Sequence, residues 1–170
     1  VKAARKKELD YFNGKGVWTK REHAEAMAKT GKRPITVRWV DVNKGDEVHP
    51  NVRCRLVVQE TKKVSTIDAQ DMSAVFAATP PLEAKKFLFS HVMSRRATSG
   101  RALKLQFIDV KRAYFHAPCL REVYVDLPEQ DCTPGMCGKL EKAMYGTRDA
   151  AQNWEKQYEQ TFLGLGFTQG

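Results

Sequence analysis

Two short segments in which apolar residues alternate with polar ones constrain the fold of this chain more than any other feature. They are residues 35–42 (ITVRWVDV) and residues 52–58 (VRCRLVV), with NKGD at 43–46 between them. Alternation with a period of two is typical of β-strands, and Asn, Gly and Asp favour turns. The pattern predicts a two-stranded antiparallel hairpin with Arg53 and Arg55 on one face.

Composition, a capping box and helical periodicity together predict four helices. The second of them is opened by the capping-box pair Thr19 and Glu22. The predicted bounds are residues 2–12, 19–29, 82–97 and 148–163. The third helix carries an apolar stripe at helical spacing, formed by Ala84, Phe87, Leu88, His91 and Val92. In the fourth, Trp154 has two interpretations, a core anchor or a platform for stacking bases, and the core interpretation is favoured.

A further strand is predicted at residues 101–109, where apolar residues occupy alternate positions before Asp109. A short strand is predicted within residues 121–128 (REVYVDLP), followed by a loop rich in Gly, Pro and Cys at 131–138. Strands and helices alternate irregularly after an early hairpin. This order predicts an α+β fold.

Length and charge bound the size of the core and the class of partner. With 170 residues the chain is long enough for one compact domain. Its 29 Lys and Arg against 20 Asp and Glu give a formal net charge of +9. A basic field suits a polyanion such as nucleic acid, although a basic surface without a ligand has the same composition. No stretch is long and apolar enough to cross a bilayer, so no membrane partner is expected.

The cysteine pattern favours free thiols. The four residues are Cys54, Cys119, Cys132 and Cys137, and they form no CxxC pair. Since no signal-peptide pattern opens the chain, reduced thiols in a reducing compartment are the expected state. The gap between Cys132 and Cys137 would allow zinc binding with His116 or His49, but no second pair follows at zinc-site spacing, so zinc is less favoured.

The candidate chemistry is concentrated in residues 107–117 (FIDVKRAYFHA). The chain has no phosphate-binding Gly-rich loop, nucleophile elbow or HExxH motif. The residues leave two interpretations of Asp109 open. It can cap the following turn, since Asp is a favoured N-cap residue, or it can bind Mg²⁺, which takes hard oxygen ligands together with substrate phosphates.

Four collinear blocks carry the most specific signal, and they resemble the copia-type retrotransposon reverse transcriptases. KKELDYFNGKGVW resembles the family's opening block, and VRWVDVNKGDEVHPNVRCRLVV resembles its lysine-tryptophan-valine strand and "KARLV" strand. FIDVKRAYFHAPCLREVYVDLP resembles "DVKxAFLxGxLxExVYMxxP". GKLEKAMYGTRDAAQNWEKQYEQTFLGLGF resembles "xLxKxLYGLKQAPRxWxxxLxxxLxxxGF". The last two blocks together are specific, and the resemblance covers residues 7–166.

The resemblance implies a partial right-hand polymerase fold. Residues 1–100 would be fingers-like and contain the basic hairpin 35–58, and residues 101–170 would form part of the palm, with an incomplete palm sheet. The implied activity is RNA-directed DNA synthesis with Mg²⁺, an RNA template, a DNA primer and deoxynucleoside triphosphates. The implied location is the cytoplasm, within a virus-like particle, or the nucleus.

The metal-binding role implied by the resemblance falls on Asp109. It matches the family's first metal-binding aspartate, and the carbonyl of Val110 would be an additional ligand. The family's two adjacent aspartates have no counterpart here, since no adjacent Asp pair occurs in the chain. They are expected beyond Gly170, with the remaining palm, thumb and ribonuclease H regions of the polyprotein. One carboxylate cannot hold two metals, so the chain alone is predicted to be inactive.

The resemblance also implies a nucleotide pocket. Arg55 matches the fingers arginine that holds the incoming triphosphate, Arg53 stands at the family's lysine, and Lys44 is a second phosphate contact from the hairpin. Ala113 falls where the backbone approaches the nucleotide. Tyr114 falls where an aromatic ring crowds the sugar 2′ position and excludes ribonucleotides. An ordinary core aromatic is the alternative for Tyr114, and the block match favours the gate.

The departures from the family blocks concern the same pocket. Asp149 stands where the family has a Gln that contacts the nucleotide, and an anion there should repel a triphosphate unless a metal or Arg148 compensates. Ala151 and Gln152 replace Pro and Arg, and residues 59–61 (QET) replace the glycine and aromatic that follow "KARLV". The departures indicate either a divergent branch with its own pocket or a decaying copy.

Three functional hypotheses follow. The first is part of a polyprotein polymerase that works only with its remaining regions. The second is a non-catalytic, basic nucleic-acid-binding remnant, for which binding should depend on salt but not on nucleotide or metal. The third is a truncated pseudogene product, for which exposed strand edges should cause aggregation.

Overall fold

The computed structural model describes residues 1–60, 81–95, 100 and 102–168. Contacts divide the chain into two compact units: unit 1 is residues 1–76 with 112–170, and unit 2 is residues 77–111. The division into a fingers-like part and a palm part at residue 100 stays a prediction. The segment between the hairpin and the third predicted helix, for which the sequence predicts a polar loop at residues 59–79, lies mostly outside the described residues.

Helices and strands are mixed along the chain, so the α+β prediction is confirmed. In chain order the described elements are α1 (Lys2–Lys15), β1 (Trp18–Glu22), α2 (His23–Thr30), β2 (Val37–Asn43), β3 (Val52–Val58), α3 (Leu82–Ser94), β4 (Tyr124–Val125), β5 (Met136–Leu140) and α4 (Ala150–Gly164). Two 3₁₀ turns, Ala113–His116 and Glu129–Asp131, complete this set. The predicted first and last helices and the short strand β4 are therefore confirmed.

The predicted hairpin of β2 and β3 is confirmed, both in its antiparallel pairing and in the placement of Arg53 and Arg55 on one face. The two strands are antiparallel, with Val37 opposite Val58 and Asn43 opposite Val52. Alternate residues of β3 are buried, whereas Arg53 and Arg55 are exposed. This is the arrangement expected of a strand with one face on a core and the other in water.

The prediction of a helix beginning at the capping box was wrong. Thr19 lies in β1, which pairs antiparallel with β5, and its hydroxyl donates to Glu141 Oε1 at 3.0 Å. The helix α2 begins only at His23. The loop predicted at 131–138 was wrong for the same reason, since it contains most of β5, the central strand of a β1-β5-β4 sheet. A ladder between distant segments outweighs local capping and turn signals.

The strand predicted before Asp109 was also wrong. Residues 103–110 have no regular secondary structure, and the side chain of Phe107 is 76% exposed. An alternating segment forms a strand only when a neighbouring strand completes its hydrogen bonds. In unit 2 the predicted third helix is confirmed as α3, which ends at Ser94, but its apolar stripe is not buried in the described part of the chain.

The core of unit 1 is built where α1, the hairpin and the 3₁₀ turn after residue 112 meet. Phe12 lies 4.9 Å from Trp18 and 4.7 Å from Phe115, ring centre to ring centre. Leu56 and Val58 of β3 are buried in the same cluster. Each buried aromatic ring removes a large apolar area from water, so this cluster is the main stabilising contact of the unit. Because β3 is anchored on it, the exposed side of β3 is held in a fixed position.

Candidate functional site

The exposed face of the hairpin carries three arginines. Directly opposed residues of an antiparallel pair share a face, so Arg38, opposite Val57, lies on the same side as Arg53 and Arg55. The remaining side chains of this face in β2 and β3 are valines. Within the described residues none of the three arginines forms an ion pair with a carboxylate. The face is therefore a concentrated positive surface whose guanidinium donors have no carboxylate partner among the described residues and can bind an anion.

Arg55 is the arginine of this face with an aromatic support. Its guanidinium lies 5.4 Å from the centre of the Tyr145 ring, within the range of a cation–π contact. Tyr145 in turn lies 4.9 Å from Tyr114, ring centre to ring centre. Burial raises the pKa of the Tyr145 hydroxyl, so the ring stays neutral near the arginine. The Tyr145 ring thus connects Arg55, the residue predicted to bind the triphosphate, with Tyr114, the predicted sugar gate. The sequence analysis did not predict a role for Tyr145.

The turn at Tyr145 and Gly146 fixes this ring against β3. The amide of Val58 donates to the Tyr145 carbonyl at 2.8 Å. Gly146 has a φ of +90°, a region that favours glycine, and a Cβ there would overlap the carbonyl oxygen of Val58. The backbone of the turn and the end of β3 are in direct contact at a position where only glycine fits.

The segment that carries Ala113 and Tyr114 is held by its neighbour Arg112. Arg112 has a φ of +50°, and its guanidinium donates to the buried carboxylate of Glu8 at 2.6 and 3.0 Å. The same guanidinium lies 4.1 Å from the centre of the Tyr11 ring. A non-glycine residue in the left-handed backbone region costs about 1 kcal/mol or more of folding free energy, and the contacts of Arg112 with α1 offset that cost. Ala113 and Tyr114 therefore begin a 3₁₀ turn of defined direction.

Asp149 is nine-tenths buried and is held by a network that the sequence prediction missed. Arg121 donates to Asp149 Oδ1 at 2.7 Å and to the two carboxylate oxygens of Glu60 at 3.2 and 3.0 Å. Arg148 completes the network, since its amide donates to Glu60 Oε2 at 2.8 Å and its Nε to Oε1 at 3.0 Å. Asn153 donates to the remaining oxygen of Asp149 at 3.0 Å. The network joins the end of β3 to the start of α4.

Both carboxylates of this network are ionised. Burial alone would raise the pKa of Asp149, but the hydrogen bond and charge of Arg121 outweigh it, and the pKa lies below its usual range. The pKa of Glu60 is lowered in the same way, against its burial, by Arg121 and the Arg148 amide. The hydrogen bonds that Arg121 donates to Asp149 and Glu60 raise the pKa of its guanidinium. Two arginines and two carboxylates leave the network formally neutral.

The other predicted residues lie in unit 2 and in the hairpin. Asp109 and Val110 belong to unit 2 and are exposed. Lys44 lies in the exposed hairpin loop, where its amide donates to the Asn51 carbonyl at 2.9 Å. Arg53 lies on the basic face, two residues from Arg55. The described residues contain no group of three His, Cys, Asp or Glu side chains placed to hold a metal.

The missed residues left a weak signal in the sequence. Glu60 belongs to the departure after "KARLV", and Arg121 stands where the block "LxExVYM" has its glutamate. Glu60 and Arg121 each carry a charge that the family blocks do not have at that position. Only the fold shows that the two side chains are in contact. Arg148, suggested as the compensating cation for Asp149, pairs with Glu60 instead.

The cysteines and the predicted core anchor have these surroundings. All four cysteines are free, with Cys132 exposed and Cys137 buried. Trp154 packs against a small cluster of Ala117, Ala143 and Ala150, as the core interpretation predicts. No helix within the described ranges is long and apolar enough to span a membrane.

Comparison with known proteins gives a consistent result. Residues 26–170 match the family model of the reverse transcriptases, described as RNA-dependent DNA polymerases. A relative from Nicotiana tabacum, the retrovirus-related Pol polyprotein from transposon TNT 1-94, is 28% identical over 143 residues. The match covers 78% of this chain and 10% of that polyprotein. No solved structure matches the chain.

Proposed function

The chain belongs to the reverse transcriptase (RNA-dependent DNA polymerase) family, in its copia-type branch, and we propose that its unit 1 binds the incoming deoxynucleoside triphosphate. The observation that carries the proposal is the contact of Arg55, Tyr145 and Tyr114 on one side of the hairpin. In this contact a cation that lacks a carboxylate partner among the described residues lies beside an aromatic ring, and that ring packs against the candidate gate. A triphosphate needs a fixed cation, and a sugar needs a rigid neighbour.

The phosphate-binding role belongs to the basic face. Arg55 presents a guanidinium without a carboxylate partner among the described residues, and its planar fork matches phosphate oxygens. Arg53 and Lys44 would add charge from the same hairpin. Since phosphates neutralised by arginine release counterions, binding should weaken as salt is raised.

The sugar-recognition role belongs to Tyr114. Its ring is half-buried, packed against Tyr145 and the alanine cluster, so it cannot swing aside to admit a larger sugar. A ribonucleotide would bring a 2′-hydroxyl against a ring that cannot yield. Ala113, next to it, has no side chain beyond Cβ and lets the backbone approach the nucleotide.

The metal-binding role belongs to Asp109 and the Val110 carbonyl. They are hard oxygen donors of the kind Mg²⁺ accepts, and Mg²⁺ commonly takes one or two carboxylates and completes its shell with substrate phosphates and water. When bound, the ion would supply Lewis-acid stabilisation of the transferring phosphoryl group. Two donors from the chain are too few for the two-metal site of a complete polymerase, so the chain alone is predicted not to extend a primer.

The proposal is tested by calorimetric titration of the chain with dTTP and Mg²⁺. Arg55→Gln should weaken binding about tenfold, since one cation at close range to a triphosphate is lost. Arg33→Gln is the matched control, because it removes the same charge from an exposed residue outside the hairpin strands. Equal affinities in Arg55→Gln and the unmodified chain would contradict the proposed role. Tyr114→Ala should reduce the preference for dTTP over UTP, measured within the same variant.

A second candidate function is supported by the three-arginine face itself. A non-catalytic remnant could use Arg38, Arg53 and Arg55 to bind single-stranded nucleic acid. For this function oligonucleotide binding should fall with salt and be unaffected by dTTP or Mg²⁺. Competition by dTTP would favour the nucleotide-binding role instead.

The wider setting follows from the family. The chain spans about a tenth of the length of the polyprotein relative it matches. We propose an RNA template and a DNA primer as partners, with the remaining palm, thumb and ribonuclease H regions completing the enzyme. The cytoplasm, within a virus-like particle, or the nucleus is the proposed location.

A further inference from the structure

We propose that Arg121 is a positioning residue for the incoming nucleotide, which neutralises Asp149 and ties the start of α4 to the end of β3. This inference rests on the proposed nucleotide-binding function. Arg121 does not lie on the basic face. It acts through Asp149 and Glu60, the residues that its guanidinium contacts.

The geometry of the network supports a positioning role. Glu60 lies two residues after the end of β3, the strand that carries Arg55, and Asp149 is the N-cap residue of α4. Arg121 contacts both carboxylates, with Asp149 at 2.7 Å. Glu60 also accepts from the Arg148 amide at 2.8 Å, so an anion lies beside the start of a helix, where it is favoured. The guanidinium therefore fixes the spacing between the strand and the helix.

The charged residues of this network include departures from the family blocks. At positions 121, 148 and 149 the family blocks have Glu, Lys and Gln, whereas this chain has Arg, Arg and Asp, and Glu60 lies among residues 59–61, which replace the family's glycine and aromatic. Three separate departures from the family pattern meet at one guanidinium and compensate one another. This favours a divergent pocket over a decaying copy, since unselected substitutions would not be expected to pair in space.

The electrostatic consequence falls on the triphosphate. If Arg121 is removed, Glu60 keeps Arg148 as a partner, whereas the remaining side-chain partner of Asp149 within the described ranges is the neutral amide of Asn153. A buried carboxylate without its cation would repel an approaching triphosphate and would loosen the start of α4. Removing the charge of Asp149 as well should abolish this repulsion. A purely structural role for Arg121 would instead lower the urea midpoint of Arg121→Gln and leave its dTTP affinity unchanged.

The test measures dTTP binding with Mg²⁺ by calorimetry and unfolding by urea for three variants: Arg121→Gln, Asp149→Asn and the double variant. Arg121→Gln should weaken dTTP binding about tenfold, equivalent to about 1.4 kcal/mol. The double variant should bind within about twofold of the unmodified chain. Arg121→Gln binding as tightly as the unmodified chain, or a double variant as weak as Arg121→Gln, would overturn the inference.

Lys20→Gln is the control that separates a loss of dTTP affinity from a general loss of stability. Lys20→Gln breaks another partly buried ion pair of unit 1, with Asp131 at 2.9 Å, on the β1 side of the unit. It should lower the urea midpoint without changing dTTP affinity, whereas a loss of affinity would show that affinity merely follows stability and would overturn the inference. If the unmodified chain itself does not bind dTTP, the proposed function fails and the inference falls with it. If it binds and only the rescue fails, the proposed function stands.

Discussion

Replacing Gly146 by alanine should destabilise unit 1 far more than an ordinary glycine substitution. At a φ of +90° a residue with a Cβ costs about 1–2 kcal/mol of backbone strain. The added Cβ would also lie 2.8 Å from Val57 Cγ1 and 2.9 Å from the carbonyl carbon of Val58, and would overlap the Val58 oxygen. Backbone must therefore move, and the Val58–Tyr145 hydrogen bond, worth about 1 kcal/mol, is lost. With repacking costs of about 1–2 kcal/mol, the total is about 3–5 kcal/mol.

The assay is urea unfolding followed by tryptophan fluorescence. All three tryptophans, Trp18, Trp39 and Trp154, belong to unit 1, so the signal reports this unit. Gly135→Ala is the matched control, since Gly135 has a φ of +73° but a Cβ there would meet nothing within 4 Å. The control isolates the backbone strain and should cost about 1–2 kcal/mol.

The two glycine variants are compared by the loss of free energy of unfolding that each one causes. If Gly146→Ala and Gly135→Ala lower the free energy of unfolding equally, the turn does not contact the end of β3 as described. If Gly146→Ala is the more costly by about 2 kcal/mol or more, the close approach is real. The same variant should also weaken dTTP binding, because the Tyr145 ring would no longer be held beside Arg55.

Three further predictions follow from burial and charge. Because the pKa values of Glu60 and Asp149 are lowered on folding, their stabilisation is present above their ordinary values of 4.5 and 3.8 and is lost as the pH falls through the lowered folded values. The free energy of unfolding should therefore drop more steeply below about pH 4.5 in the unmodified chain than in Glu60→Gln, and parallel curves would contradict the network. Burial raises the pKa of the Cys54 thiol to about 11, so iodoacetamide at pH 8 should modify exposed Cys132 well before Cys54, as read by peptide mass spectrometry. Phe12→Ala, at a ring that is 1% exposed, should cost about 3–5 kcal/mol in the same urea assay, and a cost below about 1 kcal/mol would be incompatible with the described core.

The hairpin and the long helices could be predicted because their signals are local. The alternation in β3 and the turn residues after Asn43 specify pairing between neighbours in the chain. The final helix follows from the spacing of its apolar residues. The family could be predicted as well, because its sequence blocks are recognised from the order of residues alone.

The misses concern contacts between distant segments. Thr19 and Glu22 read as a helix start, but β1 pairs with β5, more than 100 residues away. Apolar and polar residues alternate in the segment before Asp109, yet residues 103–110 form no strand, because alternation alone does not supply a neighbouring strand for hydrogen bonding. The network at Arg121 was missed because its members come from three separate stretches, and a charge out of pattern indicates nothing until its counter-charge is known.

The most direct test of the account is photo-crosslinking of an azido-dATP probe to the chain with Mg²⁺, followed by mapping of the labelled peptides. If unit 1 binds the incoming nucleotide, the label should lie within residues 52–60, 112–121 or 145–153, which form the wall around Arg55, Tyr114 and Asp149. Unlabelled dTTP should compete it away. Label confined to α3, or label that dTTP does not displace, would contradict the claim that unit 1 binds the incoming nucleotide.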